Sequence, residues 1–221
     1  MSIVVVARKN GEACIASDTL TMFGDQLESA KYHEEADKII AVGNAFVGSV
    51  GDAAHDLVLQ SLFASLRQPP AFRDRREIFE FLLKQHPRLK DKYFLQPATG
   101  EEHDPYEASH FNLLVASPYG IFGIYILREV YEYTRFAAIG SGERYALGAM
   151  FTVYDRYESA ADIARAGVEA AVEFNSECGP PLRFHTVKIR AKRGSRRPTA
   201  AGSSAKSGRA RSTRPRGATP T

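Results

Sequence analysis

The chain has few of the residues on which small secreted proteins and membrane proteins depend. Its 221 residues include only two cysteines, Cys14 and Cys178, and no tryptophan. Two cysteines cannot build a disulfide framework, and this usage is typical of a reducing compartment. No apolar run approaches the roughly 18 residues of a membrane-spanning helix. The apolar run at 3–7 is too short, and too soon followed by Arg8 and Lys9, for a secretory signal. These absences predict a cytoplasmic protein without a membrane partner.

Acidic residues are also missing from one end of the chain. Residues 190–221 carry ten Lys or Arg and no Asp or Glu. The first 189 residues therefore hold 19 basic and 26 acidic groups, a net charge of −7, although the whole chain carries +3. With almost nothing apolar to bury, 191–221 is predicted to be a disordered basic tail. Two interpretations stay open for it: a solubilising appendage, or a contact with nucleic-acid phosphates.

The remaining residues, 1–190, are predicted to form one domain, because 44% hydrophobic content is enough for a single core. Strands are predicted at 3–7, 13–16, 38–42, 45–48, 111–116, 121–127, 131–139 and 184–189. Helices are predicted from 51 to before Pro69, at 75–86, around 145–150 and at 163–174, with Pro87 ending the second. Strands and helices thus come in separate runs, which favours an α+β fold. We expect a four-layer αββα sandwich of two antiparallel sheets flanked by helix pairs.

Ser2 is the most informative single residue. Serine is small enough for removal of Met1 to be expected, and the new terminus would carry a hydroxyl and a free α-amine on one residue. That pairing of a nucleophile with its own base is a known way to activate a hydroxyl. Asp18 ends the hairpin that starts at this terminus. The six histidines show no metal-ligand spacing, so neither a metal nor a cofactor is predicted.

Four segments in order resemble the proteasome β-subunit family, and in particular the bacterial proteasome-like proteases. They are Ser2-Ile3-Val4-Val5-Val6, Ile15-Ala16-Ser17-Asp18, Val47-Gly48-Ser49-Val50-Gly51-Asp52-Ala53 and Ala138-Ile139-Gly140-Ser141-Gly142. The resemblance runs from Ser2 to about 189 and leaves the tail outside. Gly140-Ser141-Gly142 is not a dinucleotide fingerprint, because Tyr145 occupies the third glycine position.

The resemblance implies amide hydrolysis through an acyl-enzyme. Ser2 would be the nucleophile and its α-amine the base, with Asp18 and Lys38 as a supporting ion pair. The lysine charge would lower the pKa of the α-amine, which is ordinarily about 7.7–8.0. The backbone N–H of Gly48 would form the oxyanion hole, and Ser141 would be a supporting serine.

Further residues follow from the same resemblance. Lys31 is the alternative to Lys38, which lies about four residues further from the acid than in most relatives. Phe46 would floor the pocket for the substrate side chain and favour small residues. Asn175 and Cys178 would be supporting residues, with Asn175 in a position where the family often has a carboxylate. Serine in place of threonine as nucleophile, and the absence of a propeptide, are further departures.

Ordinary interpretations stand beside these. Asp18 could simply end a strand, Lys38 could flank one, Gly48 could make a turn and Ser141 could cap a helix. Three functions are therefore predicted as alternatives. The first is a peptidase assembled as a homo-oligomeric ring, acting on peptides or unfolded proteins, with an ATP-dependent unfoldase as the implied partner. The second is an inactive proteasome-like scaffold, and the third is an N-terminal-nucleophile amidohydrolase for small amides.

Overall fold

The secondary structure alternates in runs of strands and pairs of helices. The computed structural model describes residues 2–34, 36–96 and 107–191. The strands are β1 Ile3–Lys9, β2 Glu12–Ser17, β3 Thr21–Phe23, β4 Gln26–Glu28, β5 Ile39–Val42, β6 Ala45–Val50, β7 Asn112–Ser117, β8 Gly120–Ile124, β9 Val130–Tyr133, β10 Phe136–Gly140 and β11 Arg183–Lys188. The helices are α1 Ala53–Ala64, α2 Arg75–Tyr93, α3 Glu143–Val153 and α4 Ala160–Phe174, with a short 3-10 turn at Ala30–Tyr32.

The strands form two antiparallel sheets and one separate hairpin. The first sheet has the order β10-β1-β2-β11, and the second has the order β5-β6-β7-β8-β9. The hairpin is β3-β4. Two tight turns connect neighbouring strands: Asn10 and Gly11, both at positive φ, join β1 to β2, and Gly43-Asn44 joins β5 to β6.

Three apolar clusters define four layers. One cluster packs α1 and α2 on the five-stranded sheet, and a second packs α3 and α4 on the four-stranded sheet. The third lies between the sheets, where Val4 and Val6 of β1 meet Leu114 and Ala116 of β7. Because both faces of β1 are covered, Ile3 to Ala7 are all fully buried, which explains an uninterrupted apolar run in place of alternation. The predicted four-layer αββα sandwich is confirmed.

Helix α2 extends further than its sequence predicts. Pro87 lies inside the helix, which continues to Tyr93. A proline there removes one backbone hydrogen bond and was expected to end the helix. The turn beyond it is held by tertiary packing instead, since Leu89 is buried against the core and Lys90 binds Glu107.

The polar stretch after Asp18 also contains more structure than its sequence predicts. Strands β3 and β4 form a short hairpin there, with Phe23 and Leu27 largely exposed. A two-stranded ribbon of three-residue strands has no alternating apolar pattern long enough to be read from sequence.

The register of the strands gathers several chain ends at one edge of the sandwich. In the four-stranded sheet, Ile3 pairs with Gly140 and Val4 pairs with Ser17. The start of β1 therefore lies beside the ends of β2 and β10. In the second sheet Ile39, the first residue of β5, pairs with Gly48 near the end of β6. Residues just outside these strand ends can thus meet in space.

The C-terminal tail lies, from residue 192 onward, outside the described residues. Residues up to Ala191 form one compact unit. Within the described ranges, no helix is long and apolar enough to cross a membrane.

Candidate active site

Ser2 lies immediately before β1, and only 6% of its surface is exposed. Its carbonyl oxygen accepts a hydrogen bond from the backbone N–H of Ser141 at 3.0 Å and another from the Ser141 hydroxyl at 3.4 Å. These bonds extend the β1–β10 ladder by one residue. The backbone of Ser2 is therefore fixed by the loop that follows β10.

Gly140 makes this close approach possible. It has φ of +108°, and a Cβ there would lie 2.1 Å from the carbonyl oxygen of Ser2. Both the left-handed backbone and the contact require glycine. Gly140 therefore serves to seat the N-terminal residue.

Replacing Gly140 by alanine should therefore displace Ser2. We expect Gly140→Ala to lower the free energy of unfolding by more than about 3 kcal/mol, because backbone strain adds to a clash with main-chain atoms. Gly11→Ala is the matched control: φ is +77° there, but nothing lies within 4 Å of the added Cβ. Strain alone should cost about 1 to 2 kcal/mol. If urea denaturation shows the same loss of unfolding free energy for Gly140→Ala and Gly11→Ala, Gly140 does not seat Ser2.

Asp18 is fully buried and accepts four hydrogen bonds. Oδ1 accepts from the N–H of Ile3 at 3.1 Å and from Lys38 Nζ at 2.7 Å. Oδ2 accepts from the N–H groups of Leu20 at 3.2 Å and Gly179 at 3.1 Å. A buried carboxylate persists only when it is paired in this way. Asp18 thus connects β1, the lysine and the loop before β11.

Lys38 is the lysine that reaches this carboxylate. Its Nζ also donates to the carbonyl oxygen of Leu20 at 2.7 Å, and 11% of its side chain is exposed. Lys31 lies elsewhere, exposed in the 3-10 turn with its Nζ 4.7 Å from the ring centre of Tyr32. Of the two lysines considered, the structure brings Lys38 and not Lys31 to Asp18.

A cavity of about 200 Å³ opens beside Ser2. Its walls combine apolar, cationic and acidic groups from both sheets, the β3 strand and the first turn of α1. They are Ser2, Leu20, Thr21, Met22, Phe23, Lys38, Gly51, Asp52, Ala53 and Asp56. A concave site with a few convergent polar groups next to a hydroxyl is suited to binding part of a substrate.

Gly48 and Phe46 lie outside this cavity. A Cβ on Gly48 would come within 2.6 Å of Val4, so glycine is needed there for close packing of the two sheets. The N–H of Ser49 is bonded to the Lys38 carbonyl at 3.2 Å on the β5 side. Since successive N–H groups of a strand point to opposite sides, the Gly48 N–H points into the sheet toward β7. The structure thus gives Gly48 a packing position and not an oxyanion-hole position.

Phe46 packs elsewhere for the same reason. Its ring lies 4.7 Å from the ring of His185 on β11, and it contacts the apolar cluster between the sheets. It therefore does not floor the cavity beside Ser2.

Gly51 is one of the cavity residues that were not among the predicted site residues. It lines the cavity with Ser2, has φ of +133° and directly precedes Asp52, the N-cap of α1. The signal was present in the sequence, because a glycine followed by an aspartate commonly opens a helix. Of these two glycines, Gly51 and not Gly48 borders the cavity that contains Ser2.

The predicted supporting residues lie on two neighbouring loops. Cys178 Sγ is 3.9 Å from the hydroxyl of Ser141. Burial, followed by the charge of Asp18, raises the pKa of the Cys178 thiol to about 11, so it is protonated at neutral pH and is a poor nucleophile. Asn175 ends α4, and its side chain accepts from the N–H of Glu177 at 2.8 Å, which makes it a local turn residue.

No group of three or more His, Cys, Asp or Glu side chains within 2–34, 36–96 and 107–191 is arranged to hold a metal ion.

The fold and the site together define a class of protein. A buried first strand with an Asp–Lys pair at its start, inside a sandwich of two antiparallel sheets and two helix pairs, is the architecture of the proteasome-type N-terminal-nucleophile hydrolases.

Comparison with solved structures gives the family. The chain is 39% identical to Thiobacillus denitrificans BPH in complex with epoxomicin, with a TM-score of 0.77, over 86% of this chain and 100% of that chain. A second structure of Thiobacillus denitrificans BPH gives 40% identity and a TM-score of 0.77, over 85% and 98%. The chain belongs to the BPH family of bacterial proteasome homologues.

A more distant structure shares the fold alone. Eukaryotic HslV from Trypanosoma brucei is 17% identical, with a TM-score of 0.57, over 84% of this chain and 99% of that chain. No protein-family model matches the chain, and no curated protein matches it.

Proposed function

We propose that the chain is a peptidase of the proteasome type whose nucleophile is Ser2, exposed by removal of Met1. The observation that carries the proposal is the position of the Asp18–Lys38 pair. The Asp18 carboxylate binds the N–H of Ile3, the residue next to Ser2, and Lys38 lines the same cavity as Ser2. At a free N-terminus, the positive charge of this buried ion pair would lower the pKa of the neighbouring α-amine.

The chemistry follows from the groups present. The Ser2 Oγ attacks the substrate carbonyl carbon while its proton passes to the α-amine of the same residue. The protonated amine then gives that proton to the leaving nitrogen as the C–N bond breaks, which leaves an acyl-enzyme. Water then adds to the ester carbon while the amine takes one of its protons. The amine returns this proton to the Ser2 Oγ as the ester C–O bond breaks, so the carboxylic acid leaves and the Ser2 hydroxyl is regenerated. The positive charge of Lys38 favours the unprotonated form of the α-amine, which is the form that acts as a base.

We assign the oxyanion donor to the Gly51 region. Gly51 stands at the N-terminus of α1, a helix of 12 residues, where backbone N–H groups lack partners within the helix. The positive end of the helix dipole favours developing negative charge at that end. Ser141 has a positioning role in this account, because it holds the carbonyl of Ser2 and not the reacting atoms.

Hydrolysis of unstructured peptides tests the proposal. We expect the purified assembly to cleave fluorogenic peptides and an unfolded protein such as casein. Small amides without a peptide backbone should be cleaved much more slowly, because they gain no binding from the cavity walls. Faster turnover of small amides would favour an amidohydrolase, and no turnover of either class would favour a scaffold.

We further propose that subunits assemble into a closed ring through the α3–α4 layer. Four large apolar side chains of these helices are exposed: Tyr145, Leu147, Phe151 and Phe174. The rings of Tyr145 and Phe174 lie 5.9 Å apart, so these two side chains form an exposed aromatic pair across α3 and α4. Exposed apolar surfaces of this kind mark protein interfaces. Enclosure would also protect other proteins from the active site. An ATP-dependent unfoldase and a cytoplasmic location stay predictions.

A charge on this surface should break the assembly. Phe151, 74% exposed, is the most exposed of the four. We expect Phe151→Glu to yield smaller species in light scattering, because burying an unpaired carboxylate in an interface is unfavourable. Phe94→Glu is the control, since Phe94 is 86% exposed at the end of α2 in the opposite layer. An unchanged mass for Phe151→Glu would rule out this interface.

A further inference from the structure

The cavity beside Ser2 is lined by apolar side chains on one side and by carboxylates on the other. Leu20 and Met22 line it on one side, while Asp52 and Asp56 line it on the other, at the start of α1. Lys38 is the cation of this wall within the described residues, and its charge is matched by Asp18 at 2.7 Å. Among the described residues of this wall, the two carboxylates of Asp52 and Asp56 therefore face a single cation, and Asp18 already neutralises that cation.

Asp56 is the half-buried member of this pair. Its Oδ1 accepts a hydrogen bond from the hydroxyl of Ser49, itself buried on β6, so the carboxylate is held in place by the second sheet. Asp52 is exposed by comparison. Asp56 therefore combines a fixed position with reduced access to water, which are the conditions under which a charge discriminates between ligands.

Burial raises the pKa of Asp56 above its ordinary value. The hydrogen bond from Ser49 and the charges of Lys38 and His55 act in the opposite direction but do not cancel it. The ionised carboxylate is thus incompletely compensated by the protein alone. A further cation beside it would supply the missing compensation.

We propose that this cavity receives the side chain preceding the scissile bond and that Asp56 selects lysine or arginine there. The aliphatic stem of such a side chain would lie along Leu20 and Met22, while its charged head would reach Asp56, as long basic side chains commonly do. Charge-assisted hydrogen bonds to a carboxylate are among the stronger and more selective contacts. This inference rests on the proposed peptidase function. It replaces the expectation that Phe46 sets a preference for small residues.

The test compares three peptides that differ only in the residue before the cleaved bond, which is arginine, leucine or glutamate. We expect kcat/KM in the order arginine, leucine, glutamate, with at least a tenfold preference for arginine over leucine. In Asp56→Asn the arginine-to-leucine ratio should fall at least tenfold, since asparagine still accepts from Ser49 but carries no charge. Asp162→Asn is the matched control: Asp162 also lies in the first turn of a helix, α4, but belongs to the opposite layer.

A pH series adds a second readout for the same ratio. Because both peptides use the same Ser2 chemistry, titration of the α-amine cancels in the ratio. The charged groups facing Asp56 are Lys38, His55 and Asp52. The preference for arginine should be lost as pH falls through the raised pKa of Asp56, hence at a higher pH than for an ordinary aspartate. In Asp56→Asn the ratio should not vary with pH over this range.

The outcomes separate the two proposals. If the wild-type protein cleaves the leucine peptide as fast as the arginine peptide or faster, the specificity assignment is overturned while the peptidase function stands. The wild-type profile alone decides this, even if Asp56→Asn does not fold. If none of the three peptides is cleaved, and unfolded proteins are not cleaved either, the peptidase proposal itself fails. A loss of the ratio in Asp162→Asn equal to that in Asp56→Asn would also contradict the assignment.

Discussion

Ser2→Ala is expected to abolish peptide hydrolysis while leaving the assembly intact. Removing the hydroxyl removes the attacking atom, and we expect the rate to fall by at least about 10³-fold, with any remainder due to binding alone. Assembly should not change, because the two hydrogen bonds by which Ser141 seats Ser2 go to its carbonyl oxygen, which alanine retains. Hydrolysis measured beside light scattering checks both parts.

Ser2→Thr is the matched control for this experiment. It keeps the hydroxyl and the α-amine and adds a β-methyl group, which restricts the side-chain rotamer. We expect it to retain hydrolysis within about tenfold of the wild type, a difference of about 1.4 kcal/mol in the barrier. An active Ser2→Ala protein would show that the reaction uses another nucleophile.

Lys38→Met is expected to have the second large effect, on both stability and activity. Methionine keeps an apolar chain of similar length but leaves the fully buried Asp18 carboxylate with its three backbone donors alone. Breaking a buried ion pair in this way typically costs about 3 to 5 kcal/mol. Without the ammonium, the pKa of the α-amine would return to or above its ordinary value of about 7.7–8.0, so hydrolysis at neutral pH should fall at least about tenfold.

Lys31→Met distinguishes the two lysines that the sequence left open. Lys31 is exposed and lies over the Tyr32 ring, so its loss should change the free energy of unfolding by less than about 0.5 kcal/mol. Hydrolysis should be unchanged. If Lys31→Met were inactive and Lys38→Met active, the assignment of the supporting lysine would have to be reversed.

Much of the fold could be predicted because its signals are local. The uninterrupted run of β1, the turns at Asn10-Gly11 and Gly43-Asn44, and the apolar face of α4 each follow from short-range rules. Helix α2 shows where such rules stop, since the turn beyond Pro87 is held by contacts that only the folded chain makes. The β3–β4 hairpin is too short to carry a pattern of its own.

The site was predictable where it depends on strand ends and not where it depends on register. Ser2, Asp18 and Ser141 lie at ends of β1, β2 and β10, which the order of the segments already places together. Gly48 and Gly51 are three residues apart in the same segment, and the sequence alone did not decide which of them lies outside β6. The pairing of Gly48 with Leu114 of β7 decides it, because the Gly48 N–H points into the sheet toward β7 and not toward a substrate.

The most direct test of the central claim is mass spectrometry of the native N-terminus after incubation with epoxomicin, the compound bound in the Thiobacillus denitrificans BPH structure. The account predicts an N-terminal peptide that begins at Ser2 and carries the mass of the compound, and no such adduct in Ser2→Ala. A native protein that retains Met1 would contradict the account, because an amide nitrogen at Ser2 cannot act as a base.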